Sequence, residues 1–479
     1  MFVIQERKEE GMHRFFGFLM GLILVCASPA FAGNVDTFGI GSKATALGGA
    51  YSAYADDPFA VYYNPAGLTQ IDRPMAAAGA MAIDPDLTAK DYTVTNSPYG
   101  DLGPTDFSDE SPNLYVPHIG FAMPINDKWS VGLAAYAPFG LHLEWDENSA
   151  GDLSEYPGAY NSYESWYQRV VATPTLAFKV NDKLSFGAGV SLGQSECGNY
   201  YQSEGLTQLA SKFAGSNTPV DVKGDLEDDF NYSFNIGVMY KPIDALTLGL
   251  TYRSEADTEF EGEMEFEGGH DALNAAVQSG ALGFTAPAIE KWEYDISLDD
   301  VDHPDQVQFG IRYQPHPRVS LEADLVWTKW SSIDNQTVEI DEALDPGLQA
   351  LISGKLNSDG DIVYPRDWED TRQVRVGVEW KATDILTLRG GYFYDPSPIP
   401  DDTFDIEWAD ADKKTYSAGF GLNLGESWVV DGVVQYTLTE MDRHIGGESV
   451  NLNHSYNGDV STSAEGEIWG YGLTVTYIF

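Results

Sequence analysis

Six times along the chain a tight polar turn launches a segment in which every second residue is apolar. The six are NDKWSVGLAAY (126–136), NDKLSFGAGVS (181–191), IDALTLGLTY (243–252), HPRVSLEADLVW (316–327), TDILTLRGGYFY (383–394) and GESWVVDGVVQY (425–436). Trp129, Val131 and Leu133 share one face of the first, and Leu246, Leu248 and Leu250 share one face of the third. The alternate positions hold Ser, Thr, Gly and charges such as Glu322, Asp324, Arg389 and Asp431. Period two with a polar partner face predicts half-buried strands. A matching strand precedes each turn, as in FNIGVMYKP, VQFGIRYQP and QVRVGVEWK, so the hairpins supply twelve strands. One more at 73–87 and one at 463–479 bring the count to fourteen. An even count with short turns on one side and long connections on the other predicts an all-β fold, a 14-stranded antiparallel transmembrane β-barrel.

The last strand supports the membrane reading. Trp469, Tyr471, Leu473, Val475, Tyr477 and Phe479 fall on one face, which water would not tolerate and lipid would. A terminal aromatic such as Phe479 resembles the signal by which barrel-assembly machinery receives outer-membrane strands. Charge fixes the register: an Arg or Lys facing lipid at mid-bilayer costs roughly 2–4 kcal/mol. Arg312, Arg375, Arg389, Glu322 and Asp431 all lie opposite the apolar ladder, so they point into the lumen.

Composition sharpens this picture. The chain carries 48 Gly, 23 Phe, 11 Trp, 27 Tyr and a net charge of −47, and no apolar run beyond its start reaches the ~18 residues of a membrane helix. Met12-His13-Arg14, an apolar run over 15–25 and Ala30-Phe31-Ala32 read as a secretory leader spanning 1–32, with Met12 the expected start. Cys26 lies in that leader, which leaves Cys197 as the mature cysteine and rules out an internal disulfide framework. No basic patch for nucleic acid, no paired cysteines for zinc and no G-x-S-x-G or H-E-x-x-H is present, so no catalytic residue, metal or cofactor is assigned. A barrel enzyme and a hydrophilic diffusion porin remain the competing readings; the porin would constrict its lumen with a loop rather than an N-terminal plug.

Fourteen strands enclose a lumen wider than an eight-stranded barrel fills with its own side chains. The one sizeable stretch outside the hairpin pattern, 33–72, is therefore expected inside the barrel as a hatch, with 73–479 forming the wall. That stretch reads ATALGGAYSAYADD and then Asp57-Pro58-Phe59 through Asn64-Pro65-Ala66-Gly67-Leu68. Together with Pro138-Phe139-Gly140-Leu141, Trp327-Thr328-Lys329-Trp330-Ser331 and Tyr394-Asp395-Pro396-Ser397-Pro398, it resembles the FadL family of outer-membrane transporters over essentially the whole mature chain.

The resemblance implies a monomeric barrel in the outer membrane of a Gram-negative bacterium that takes up long-chain fatty acids or hydrocarbons by passive diffusion. Its hatch motif would be Asp56, Asp57, Asn64, Pro65, Ala66 and Gly67, with cargo leaving sideways where the third strand kinks. A physical cause for that kink is present: Pro138 lacks a donor and Gly140 tolerates unusual dihedrals, so Pro138, Phe139 and Gly140 should break the ladder.

Cargo contacts are read from two features. Helix-like apolar spacing in the long connections (Leu206, Leu209, Phe213; Leu273, Val277, Phe284) predicts amphipathic helices lining a greasy outer groove. Arg253, Arg312, Arg375 and Arg389 are candidate carboxylate partners in the strands. Glu255, Asp257, Glu259, Glu261, Glu263, Glu265 and Glu267 continue the lumen-facing parity of Thr247, Gly249 and Thr251. They predict an acidic palisade at the mouth, disfavouring anionic cargo or bridging through divalent cations to lipopolysaccharide.

Overall fold

The computed structural model describes residues 34–36, 39–95, 101–145, 157–444 and 459–479; the predicted leader lies outside them. Fourteen strands form the wall: β1 (Met75–Thr95), β2 (Leu114–Pro124), β3 (Trp129–Glu144), β4 (Glu164–Asn181), β5 (Leu184–Gln202), β6 (Asp221–Ile243) and β7 (Leu246–Arg253), followed by β8 (Gln306–His316), β9 (Val319–Thr328), β10 (Thr371–Lys381), β11 (Leu386–Asp395), β12 (Asp412–Leu424), β13 (Trp428–His444) and β14 (Asp459–Ile478). Each pairs antiparallel with its neighbours. The circle closes where β1 meets β14, in a ladder running from Met75 opposite Ile478 to Thr95 opposite Asp459. The count and the hairpins are those the alternation predicts.

The register is also as charge requires. On β9 and β10, Leu321, Leu325, Val374, Val376 and Val378 are exposed on the outer face, while Glu322, Asp324, Gln373 and Glu379 are buried inside. Aromatic rings collect at the short-turn end, where Trp129 lies 4.6 Å from Phe178, Trp428 4.7 Å from Tyr477 and Tyr477 4.8 Å from Phe479. Trp469, stacked near Tyr471 at 6.3 Å, marks the other interface on the same strand. Eight residues from Tyr477 to Trp469 span about 27 Å along a strand, which the usual tilt reduces to the height of an apolar band. Strands extending beyond Trp469 therefore build an outer rim, joined by short strands at Phe260–Glu267, Glu293–Asp299 and Asn335–Ile340 and by two helices, α3 (Glu204–Ala214) and α4 (His270–Ser279).

Inside the wall sits the N-terminal segment. Two short helices, α1 (Ser42–Ala46) and α2 (Ala60–Tyr63), lead into a 3-10 turn at Pro65–Gln70. Tyr51, Phe59, Tyr63, Ala66 and Leu68 are fully buried there. Burying an aromatic or aliphatic side chain of this size stabilises by about 1.5–3 kcal/mol, so this small plug carries its own apolar core.

The rim corrects the predicted palisade. Phe260, Met264 and Phe266 point inward and are buried, whereas Glu261, Glu263 and Glu265 are exposed outside. Residues 254–259 leave the ladder between β7 and the Phe260–Glu267 strand, and this break reverses the inside-outside parity. Glu261, Glu263 and Glu265 therefore face away from the mouth, while Glu255 is half-buried, 3.9 Å from Lys329.

Candidate functional site

Glycines make the seat for the hatch. A Cβ on Gly187 would stand 2.3 Å from the Pro65 carbonyl carbon, and one on Gly237 2.2 Å from Asn64 Oδ1. Similar conflicts arise at Gly249 with Ser52, at Gly377 with Leu47 and at Gly391 with Gly48, so β5, β6, β7, β10 and β11 each present bare backbone to the plug. Hydrogen bonds complete the contact. Asn64 Nδ2 donates to Ser52 O at 2.7 Å and Val238 O at 3.1 Å, while its Oδ1 accepts from Ala66 N at 3.1 Å. Asn235 Nδ2 donates to Val61 O at 2.6 Å, Thr251 Oγ1 to Tyr63 O at 2.9 Å, and Ser42 N to Thr474 Oγ1 at 3.0 Å. The Asn-Pro-Ala motif thus locks the plug to the wall opposite α1.

The paired aspartates organise the plug internally. Asp56 takes Lys43 at 2.5 Å and the Tyr51 hydroxyl at 2.7 Å; Asp57 accepts from Tyr51 at 3.0 Å and from Phe59 N at 2.8 Å. Tyr54 carries the strapping on to the wall. Its hydroxyl donates to Glu379 at 2.8 Å, and the Arg312 guanidinium lies 3.5 Å over its ring. Arg389 bridges Glu379 at 2.8 Å and Asp431 at 2.6 Å, and Arg312 is 3.4 Å from Glu322. Of the predicted carboxylate partners, Arg312 and Arg389 therefore brace the hatch on acidic side chains of the wall. Arg375 reaches its neighbour Gln373.

At Pro138 the wall opens. β3 pairs with β2 only from Ser130 opposite Pro124 to Ala135 opposite Ile119. Beyond that, Leu114–His118 stay on β1, while β3 follows β4 through a bulge between Tyr136 and Phe139 that inserts one extra residue. From Ala134 to Leu143 every residue is buried, which breaks the alternation of a wall strand and marks an inward bend. The gap ends above where Glu110 N donates to Glu144 O at 2.7 Å. The Asn34–Asp36 strand pairs with Phe139 and Gly140 on this bent segment.

Above the bend lies a largely apolar cavity of about 70 Å³. Leu141, Trp166, Leu226, Met264, Leu298 and Trp408 line it, and Ser165, Asn199, Gln336 and Glu407 are among its polar lining residues. Glu407 is already engaged: Arg366 donates to it at 2.9 Å and to Asp405 at 2.5 Å. The predicted groove residues are elsewhere. Leu206, Leu273 and Val277 are buried and Leu209 packs on the same cluster, while Phe213 and Phe284 are half-buried; none of these lines the cavity. The apolar spacing correctly marks α3 and α4, but each helix spends its apolar face on the other and on Val220. Strand residues of the rim, hidden in ordinary alternation, form the cavity instead.

Helix α3 carries one buried acid. Glu204 Oε2 has no hydrogen-bond partner among the described residues, and burial pushes its carboxyl up to about 8 against the opposing charge of Lys355. The folded rim therefore holds this proton more tightly than the unfolded chain, and stability falls as pH rises from the ordinary carboxylate range through about 8. Glu204→Gln is expected to flatten that dependence: limited proteolysis at 203–220 should accelerate between pH 5 and 8 in the parent chain and stay level in the variant.

A closed barrel with an apolar outer band, a plug seated on glycines and a greasy cavity above it defines a plugged outer-membrane β-barrel. The chain belongs to the family described as outer membrane protein transport protein (OMPP1/FadL/TodX), whose match covers residues 23–479. It is 27% identical to the long-chain fatty acid transport protein of Escherichia coli (strain K12) over 91% of this chain and 93% of that one. Among solved structures it resembles a Pseudomonas aeruginosa FadL homologue, with TM-score 0.74, 22% identity and coverage of 94% and 100%. It also resembles the P. putida toluene transporter TodX, with TM-score 0.64, 15% identity and coverage of 94% and 99%.

Proposed function

We propose that this protein takes up hydrophobic small molecules across the outer membrane. Cargo settles in the apolar cavity above the hatch, moves down to the bend in β3 and leaves sideways through the gap beside β2 into the membrane. The observation that carries this reading is the coincidence of the cavity and the broken β2–β3 ladder: Leu141 lines the cavity two residues beyond Phe139, at the bulge. Lateral exit suits a greasy cargo because it avoids the polar, hatch-filled lumen below. The seated plug argues against a diffusion porin, and the relatives named above are transporters. In this reading the barrel acts as a monomer, no cofactor takes part, and the exposed Phe479 serves the assembly machinery. The outward acidic rim faces the lipopolysaccharide.

Filling the cavity tests the route. Leu226→Trp fills part of the cavity that Leu226, Met264 and Leu298 line, and losing about 1–3 kcal/mol of cargo binding would lower occupancy roughly five- to a hundredfold. Uptake of a labelled hydrophobe by cells expressing the variant should fall accordingly while the barrel still assembles. Undiminished uptake would place the route elsewhere.

A further inference from the structure

Six aromatic side chains close a cycle of contacts across the lumen, between the cavity and the bend. Ring centroids run from Trp408 to Tyr167 at 5.3 Å, Tyr167 to His303 at 5.1 Å, His303 to Phe139 at 4.9 Å, Phe139 to Trp330 at 6.4 Å, Trp330 to Trp368 at 5.4 Å and Trp368 back to Trp408 at 5.3 Å. Every step lies within the range of direct ring contact, and all six side chains are buried. They come from both sides of the barrel. Phe139 and Tyr167 stand on β3 and β4, His303 precedes β8, Trp330 follows β9, Trp368 precedes β10, and Trp408 lies between β11 and β12. Phe139 therefore meets a ring that belongs to the far half of the wall. Trp408 borders the cavity above, while Phe139 and His303 border a smaller cavity of about 30 Å³ inside the bulge.

The six rings are held unequally. The Tyr167 hydroxyl lies 2.9 Å from His303 Nδ1, His303 Nε2 lies 2.9 Å from Ser195 Oγ, and Trp408 Nε1 donates to Gln336 Oε1 at 3.3 Å. These three are anchored by polar contacts. Phe139 has no polar atom to anchor, stands on the bulge itself, and makes the longest link of the cycle, to Trp330. Turning it aside breaks two ring contacts and no hydrogen bond. Trp368 Nε1 is buried without a hydrogen-bond partner among the described residues. An N–H left dry in this way penalises the closed arrangement, and parting the rings to cargo or water relieves it.

We infer that these six side chains form an aromatic diaphragm that sets the cross-section of the cargo, with Phe139 as its moving leaf. This rests on the transport route proposed above and names which hydrophobes complete it. One ring turned aside leaves a slot about as wide as an unbranched chain, so flexible aliphatic cargo threads past Phe139 and enters the gap at once. A rigid cage or fused-ring hydrocarbon needs a second ring to move, and the neighbours of Phe139 in the cycle are His303, fixed through both ring nitrogens, and Trp330, backed by Trp368. Closed, the stack presents carbon on both sides and gives polar solutes no partner for their lost water.

The test measures uptake of labelled decane and adamantane, hydrocarbons of equal carbon number and different cross-section, by cells making the parent chain, Phe139→Ala, Phe139→Leu or Trp330→Leu, with the rate in cells lacking the protein subtracted. The parent should admit adamantane at least about tenfold more slowly than decane. Phe139→Ala should raise the adamantane-to-decane ratio by about that factor, and Trp330→Leu, which breaks the same link from the opposite wall, should raise it as well. Phe139→Leu should fall between parent and Phe139→Ala. Three results would overturn the diaphragm: no discrimination in the parent, a ratio unchanged in every variant, or a proportional rise for both cargoes, which is what a merely loosened wall gives. If Phe139→Ala fails to assemble, Phe139→Leu and Trp330→Leu decide. Decane uptake by the parent no faster than in cells lacking the protein would sink the transport route and the diaphragm together, whereas decane uptake without discrimination would sink the diaphragm alone.

Discussion

Gly187→Leu is expected to convert a sealed barrel into a steady pore. The substituted carbon would start 2.3 Å from the Pro65 carbonyl carbon and 2.5 Å from Ala66 N, and both are backbone atoms that no rotamer change can move aside. Either β5 or the hatch must shift, and β5 is held in ladders to β4 and β6 along nearly its whole length. The hatch yields, the Asn64 bonds to Ser52 and Val238 go with it, and the lumen loses its filling. Conductance of the purified protein in planar bilayers should rise by on the order of tenfold or more, as expected of a barrel wider than its own side chains can fill. Gly237→Val, which meets Asn64 and Pro65, should behave alike. Gly390→Leu is the control, because its nearest neighbour is 3.7 Å away on Val378. Silent bilayers for Gly187→Leu, with the barrel folded, would mean that the plug does not seal.

This seat was partly legible in the sequence. Strand number, hairpins and the lumen face followed from period two and from the cost of charge in lipid, both of which act residue by residue. The glycines at 187, 237, 249, 310 and 377 sit within those alternating strands on the polar face, a signal of close backbone approach on a wall that otherwise carries side chains. What they approach is a matter of three dimensions. The palisade went astray because parity survives only along an unbroken ladder, and residues 254–259 leave it.

The bend in β3 offers the sharpest intervention, since it depends on one surplus residue. Between Tyr136, opposite Val171, and Phe139, opposite Arg169, β3 spends three steps where β4 spends two. Deleting Pro138 removes the extra step, returns a donor to the strand and leaves Phe139 to Glu144 in their present register with β4. The straightened strand would then run alongside Leu114–His118, whose side toward β3 has no ladder partner now. Straightening also displaces the Asn34–Asp36 strand from Phe139 and Gly140, so a net gain of about one or two hydrogen bonds at ~1 kcal/mol each would favour a closed wall by ~1–2 kcal/mol, a shift of roughly tenfold against the open arrangement. Uptake of a labelled hydrophobe should therefore fall by about an order of magnitude, while binding in the upper cavity persists through lining residues outside β3, such as Leu226, Met264 and Leu298. A variant that binds but does not transport would separate capture from release. Transport at the parental rate through an unbroken β2–β3 ladder would refute lateral exit at this bend and direct the search to a path past the hatch.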